Sequence, residues 1–256
     1  SWAWTFTGAV PSSSTAQNPT NICYATAGTY TVTLVATNGS GSSTTSQTIT
    51  INPNPTVVST PASASICTGS STSLTASGAN TYAWAPATGL SATTGATVTA
   101  NPTVTTTYTI TGTSTAGCVG TTTVVVTVNP LPTITKTPSA PSYCTGGSVA
   151  ITASGGATYA WAPATGLSAT TGATVTANPT VTTTYTITGT SALGCTNTTT
   201  VTVTVNPLPT ITKTPSAPTI CSGSSVAITA SGGVTYAWAP ATGLSATTGA
   251  TVTANP

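Results

Sequence analysis

The chain has 256 residues, a formal net charge of +2, no Asp, Glu or His, and only Lys136 and Lys213 as strongly basic side chains. Proton exchange near neutral pH needs a histidine or a tuned carboxylate, so catalytic triads, paired-carboxylate glycosidases and glutamate-assisted metal hydrolases are excluded, as are calcium cages built from acidic side chains. Two isolated lysines give no electrostatic footprint for nucleic acid or acidic lipid, which leaves hydroxyls, amides and aromatic rings to meet any partner.

Hydrophobic residues make up 38% of the chain, and Val, Ile and Tyr alternate with Thr, a pattern that buries enough surface to fold. No apolar run approaches the length of a membrane helix, so no membrane span is expected. The opening Ser1-Trp2-Ala3-Trp4 lacks the basic, then apolar, build of a secretory leader. The chain is therefore expected to be mature, soluble material, with any targeting signal removed or outside it.

In chain order, residues 1–52 form a module of their own, ending at Asn52-Pro53. It holds Cys23 and the Asn38-Gly39 pair, a hairpin-turn signal that also opens the sequon Asn38-Gly39-Ser40. Residues 53–128 follow and close at Asn129-Pro130. They contain Cys67, Trp84 and a strand signal over Thr107–Thr111 that puts Tyr108 and Ile110 on one face and threonines on the other. Within this stretch, TYAWAPATGLSATTGATVTANP occupies 81–102 and returns at 158–179 and 235–256, so Trp84, Trp161 and Trp238 are spaced by 77 residues. A fixed period of that size marks a modular array in which each repeat is its own folding unit.

Residues 129–205 are the second full copy, with an early strand over Val149–Ala153, a middle one over Thr158–Trp161 and a last one over Val201–Val205. Residues 206–256 read as the front half of a third copy, and residues 1–52 as the rear part of a related but different module. Roughly seven short strands per repeat, split by Gly, Ser, Pro and Asn clusters, fit an all-β antiparallel sandwich. The junction VNPLPTIT carries two prolines that hold it extended, which predicts a rod of beads.

The cysteines share the period: Cys67, Cys144 and Cys221 are 77 apart, as are Cys118 and Cys195. The economical expectation is one disulfide inside each repeat, Cys67 with Cys118 and Cys144 with Cys195, worth roughly 4 kcal/mol by loop closure and implying an oxidising compartment. Buried free thiols are the alternative, and a zinc site is excluded by the want of four ligands per repeat. Cys23 and Cys221 are left to pair across chains, with sequence not present here, or to stay reduced.

Trp84, Trp161 and Trp238, with Tyr108 and Tyr185, are expected in the core, where one large aromatic stabilises a small sandwich. The alternative places these rings in a sugar-stacking platform. Lys136 and Lys213, both in TITKTP, read as edge-strand lysines that discourage stray pairing, since an isopeptide crosslink would need an assisting carboxyl group. Asn197-Thr198-Thr199 is a second sequon.

The segment YAWAPATGLSATTGATVTANPTVTTTYTITGTSALGC with its TVTVTVNP strand resembles the immunoglobulin-like repeats of large surface and secreted proteins of Bacteroidota that leave the cell by the type 9 secretion system. SWAWTFTGAVPSSSTAQNPT followed by AGTYTVTLVATNGSGS resembles the rear of a PKD domain. The resemblance implies tandem immunoglobulin-like β-sandwich domains in an extended rod. It further implies a non-catalytic, extracellular or cell-surface stalk or filament-forming part of an adhesin, with no cofactor, which associates with itself into a fibre or with neighbouring modules of a longer chain. An array of weak glycan- or surface-binding modules acting by avidity is the alternative. Ala116-Gly117 and Leu193-Gly194 stand where relatives of the repeat often carry Asp or Asn, which weakens any calcium-dependent role.

Overall fold

A computed structural model describes residues 1–256. It is all-β, with no helix, and the chain divides into two compact units, Ser1–Leu131 and Pro132–Pro256.

The first unit opens with β1 (Trp2–Phe6), β2 (Ala9–Val10), β3 (Ser13–Ser14), β4 (Cys23–Tyr24), β5 (Gly28–Asn38) and β6 (Gly41–Ile51). Four of these form an antiparallel sheet of order β3-β1-β5-β6, while β2 pairs with β4. The long β5–β6 hairpin turns at Gly39-Ser40, where the Asn38 Oδ1 accepts the Ser40 N–H at 2.9 Å and Gly41 takes φ 144°. Alternation places Val32 and Leu34 on the same face of β5, the face shared with Trp4 of β1.

A complete sandwich follows: β7 (Val58–Thr60), β8 (Ser63–Cys67), β9 (Thr72–Ser77), β10 (Thr81–Ala85), β11 (Thr97–Ala100), β12 (Thr106–Thr113) and β13 (Val119–Asn129). A three-stranded sheet β11-β9-β7 faces a four-stranded sheet β10-β12-β13-β8. Strict period-2 alternation turns Leu74, Ala76 and Val98 of the first sheet toward Trp84, Tyr108, Ile110, Val124 and Val126 of the second, leaving threonines outside. Burying each large aliphatic side chain contributes about 1.5–3 kcal/mol.

One pairing in each complete sandwich departs from the all-antiparallel expectation, β8 with β13 and, in the second copy, the equivalent pair ending at Cys144 and Asn206. β8 runs parallel to β13, because the chain leaves the three-stranded sheet after β7 and crosses to the edge of the other at Pro61. The Ser59 hydroxyl, itself buried, donates to the Pro61 carbonyl at 3.0 Å and holds that crossing. The turn into β10 needs Gly78 at φ 94°: a side chain there would collide with the Thr56 carbonyl.

The second unit repeats the plan with β14 (Thr135–Thr137), β15 (Ser142–Cys144), β16 (Val149–Ser154), β17 (Thr158–Ala162), β18 (Thr174–Ala177), β19 (Thr183–Thr190) and β20 (Thr196–Asn206). Its sheets are β14-β16-β18 and β15-β20-β19-β17, closed over a core that includes Ile151, Trp161, Tyr185, Ile187, Val201 and Val203. After this sandwich, and within the same unit, β21 (Thr212–Thr214), β22 (Val226–Ser231) and β23 (Thr251–Ala254) make a three-stranded sheet of order β21-β22-β23. Threonine hydroxyls pair across equivalent strands in all three copies: Thr75 with Thr97 at 3.1 Å, Thr152 with Thr174 at 2.9 Å and Thr229 with Thr251 at 2.9 Å.

Candidate functional site

The aromatic residues singled out by the repeat lie inside the sandwiches. Trp84 and Trp161 are each 3% exposed and Tyr108 and Tyr185 are fully buried. Each indole Nε1 donates to a glycine carbonyl eleven residues on, Trp84 to Gly95 and Trp161 to Gly172, both at 2.9 Å. The Tyr108 and Tyr185 hydroxyls donate to the carbonyls of Thr88 and Thr165 at 2.8 Å, tying β12 and β19 to the long loop after the Trp strand. In both complete repeats every polar tip of these rings is spent on the protein itself, which leaves no stacking face for a sugar. Trp238 keeps the same bond, to Gly249 at 2.8 Å, but is only half-buried.

Tyr82 and Tyr159, which the sequence reading did not single out, belong to the same construction. The Tyr82 hydroxyl donates to the Ala79 carbonyl and accepts the Ala79 N–H, both at 2.8 Å, and Tyr159 does the same with Gly156. The available signal was their position two residues before each Trp, on the same face of the strand. Burial pushes the phenols of Tyr108, Tyr143 and Tyr185 above their ordinary value of 10.0; a hydrogen bond with Thr106 partly offsets this at Tyr108, and the nearby Tyr143 adds to it at Tyr185.

The cysteines require a correction. Cys67 and Cys195 each take part in a disulfide, but Cys118 and Cys144 carry free thiols, so the bonds expected within repeats, Cys67 with Cys118 and Cys144 with Cys195, do not form. The reason is strand register. Cys67 stands opposite Asn129 at the far end of β13, whereas Cys118 precedes Val119 at the near end. Eleven residue steps of extended chain put the two about 36 Å apart, against the ~7 Å that a disulfide can span between Cα atoms. Cys144, opposite Asn206, and Cys195, just before Thr196, are separated by β20 in the same way. The Cys118 thiol instead donates weakly to the Asn52 carbonyl at 3.7 Å. Cys23, Cys144 and Cys221 are exposed free thiols.

Lys136 lies on β14, the edge of its three-stranded sheet, and Lys213 on β21, the edge of the next. The amide of Asn197 donates to the Pro132 carbonyl at 3.0 Å, so that sequon side chain is engaged with its own backbone. No three metal-binding side chains gather anywhere, and no helix is long and apolar enough to cross a membrane.

The surface features that recur are shallow. A groove of about 490 Å³ beside β10 is lined by Tyr82, Thr94, Gly95, Thr111 and Thr113, and its counterpart beside β17, of about 510 Å³, by Tyr159, Thr171, Gly172, Thr188 and Thr190. Both lie where the Trp strand forms the outer edge of the four-stranded sheet, bridged there only by Thr94 and Thr171. In the first module, Trp4, Val32, Leu34 and Ile49 line an open apolar groove of about 470 Å³ on one side of the sheet.

Residues 1–51 match the PKD domain family. The PKD-like module thus precedes the immunoglobulin-like sandwiches within one chain. No curated protein matches the sequence. Among solved structures, the chain is similar to a three-immunoglobulin-domain fragment of titin carrying Glu-to-Ala changes, at 13% identity over 80% of this chain and 88% of that one, TM-score 0.38. It is also similar to the N-terminal eight immunoglobulin domains of the Down Syndrome Cell Adhesion Molecule, at 12% identity over 99% of this chain and 39% of that one, TM-score 0.33. At these scores the likeness adds nothing to the strand order already described.

Proposed function

We infer that this chain is a non-catalytic structural region of an extracellular cell-surface protein, a stalk or filament-forming array of the adhesin kind seen in Bacteroidota. The observation that carries this reading is the pair of complete sandwiches whose aromatic residues are all committed to their own cores, in a chain without a single carboxylate or imidazole side chain. Module boundaries near residues 52, 129 and 206, each at an Asn-Pro pair, supply short stiff links suited to spacing a distant binding tip from a surface. Scattering from the purified chain tests this: an elongated particle supports it, and a globular profile overturns it.

A second reading takes its support from the near-identical threonine-lined grooves beside β10 and β17. Weak recognition of a surface glycan, repeated along the array, would gain strength by avidity. Glycan-array binding that falls when Thr111 and Thr188 are both replaced by Val supports it, and an array without binding overturns it.

A further inference from the structure

Eight of the twelve asparagines stand directly before proline, and only Asn38 stands before glycine. The neighbour matters because the backbone nitrogen of the next residue is the group that attacks an asparagine amide and closes a five-membered ring. Proline has no N–H to give up in that step, so those eight are closed to it. Three others fare little better: Ile22 after Asn21, Thr81 after Asn80 and Thr198 after Asn197 are β-branched and crowd their own nitrogens. At Asn197 the Thr198 N–H is also held by the side-chain Oδ1 at 2.9 Å, within strand β20.

Asn38 differs on each count. It lies at the tip of the β5–β6 hairpin, where Asn38, Gly39 and Ser40 are all exposed. A side-chain carbon built on Gly39 would meet nothing within 4 Å, so ring closure is unobstructed there, and the Gly39 N–H has no hydrogen-bond partner in the chain. The Ser40 N–H, in contrast, donates to the Asn38 Oδ1 at 2.9 Å. Negative charge gathers on that oxygen when Cγ is attacked, so the turn already holds a donor where an oxyanion hole would place one.

We propose that Asn38 is a site of spontaneous deamidation, promoted by the geometry of its own turn. The Gly39 nitrogen gives its proton to solvent base and bonds to the Asn38 Cγ. The Cγ–Nδ2 bond then breaks, and the side-chain nitrogen takes a proton from water and leaves as ammonia. A second water opens the resulting succinimide: addition at Cγ yields aspartate with the backbone restored, and addition at the backbone carbonyl carbon yields isoaspartate, with the chain running through the side chain. The sum is one water consumed and one ammonia released. With no His, Asp or Glu side chain to act as base, the rate follows hydroxide. The product is the first side-chain carboxylate in the chain and lowers the formal net charge of +2 by one.

The test incubates the full chain at neutral and mildly alkaline pH and follows peptide mass and isoaspartate content. The expected mass gain is confined to the peptide bearing Asn38, rises with pH, is abolished by Asn38→Gln and is slowed about tenfold or more by Gly39→Val, whose side chain the open turn admits. The Ser40 donor has its own readout: the folded chain converts faster than the same chain in concentrated guanidinium chloride, where the turn is lost. An Asn38 peptide that stays unchanged, an equal gain at Asn80 or Asn197, or conversion that the denaturant accelerates would each overturn the proposal. None of these outcomes bears on whether the array serves as a spacer.

Discussion

The indole of Trp84 is hydrogen-bonded to the carbonyl oxygen of Gly95 at 2.9 Å, across the loop that separates the Trp strand from β11. One side chain thereby fills the core and fastens the longest loop of the repeat. Replacing Trp84 by Phe removes the bond and leaves a small cavity, an expected loss of about 2–4 kcal/mol. Trp238→Phe, at a half-buried site, loses less. Urea denaturation of the two variants checks this; equal losses would contradict the difference in packing.

The thiols give a chemical check on strand register. Under native, non-reducing conditions, Cys23, Cys144 and Cys221 react readily with a maleimide, Cys118 reacts more slowly in its half-buried position, and Cys67 and Cys195 react only after reduction. Peptide mapping by mass spectrometry reads this directly. A Cys67–Cys118 linked peptide would refute the register of β8 on β13.

Titration should leave the fold untouched across the acid and neutral range and weaken it in alkali. With no Asp, Glu or His side chain, folded and unfolded chains bind the same protons between about pH 4 and 7, and stability is flat. Above that, burial raises the phenols of Tyr108, Tyr143 and Tyr185 over 10.0. A raised folded value means the unfolded chain ionises first, so this stability is complete below about pH 10 and drains away as pH climbs through the folded values. Thermal melts at stepped pH check it, and a steep fall near pH 5 would contradict it.

Much of the fold was legible because the sequence alternates so cleanly. Tyr108 and Ile110, or Val201 and Val203, could only be inward residues of strands with threonine backs, and the return of each Trp after 77 residues fixed the module size. Strand β8 was not legible: Ser63–Cys67 is short and rich in Ser and Ala, and its parallel pairing depends on the crossing at Pro61, which no local pattern announces. The cysteine pairing failed for a related reason. Separation along the chain measures loop closure, but which end of an 11-residue strand a residue occupies is decided by register. The aromatic cluster was half-visible, Trp and Tyr by type and spacing, their glycine and threonine carbonyl acceptors only once the loops were folded.

The paired threonines Thr75–Thr97, Thr152–Thr174 and Thr229–Thr251 place neutral hydroxyls where most sheets wear ions. Such an exterior gives dissolved salt little to screen, so the material would hold the same shape in fresh water and in brine. It presents as few handles to counter-ions as it does to proteases that cut beside charged residues.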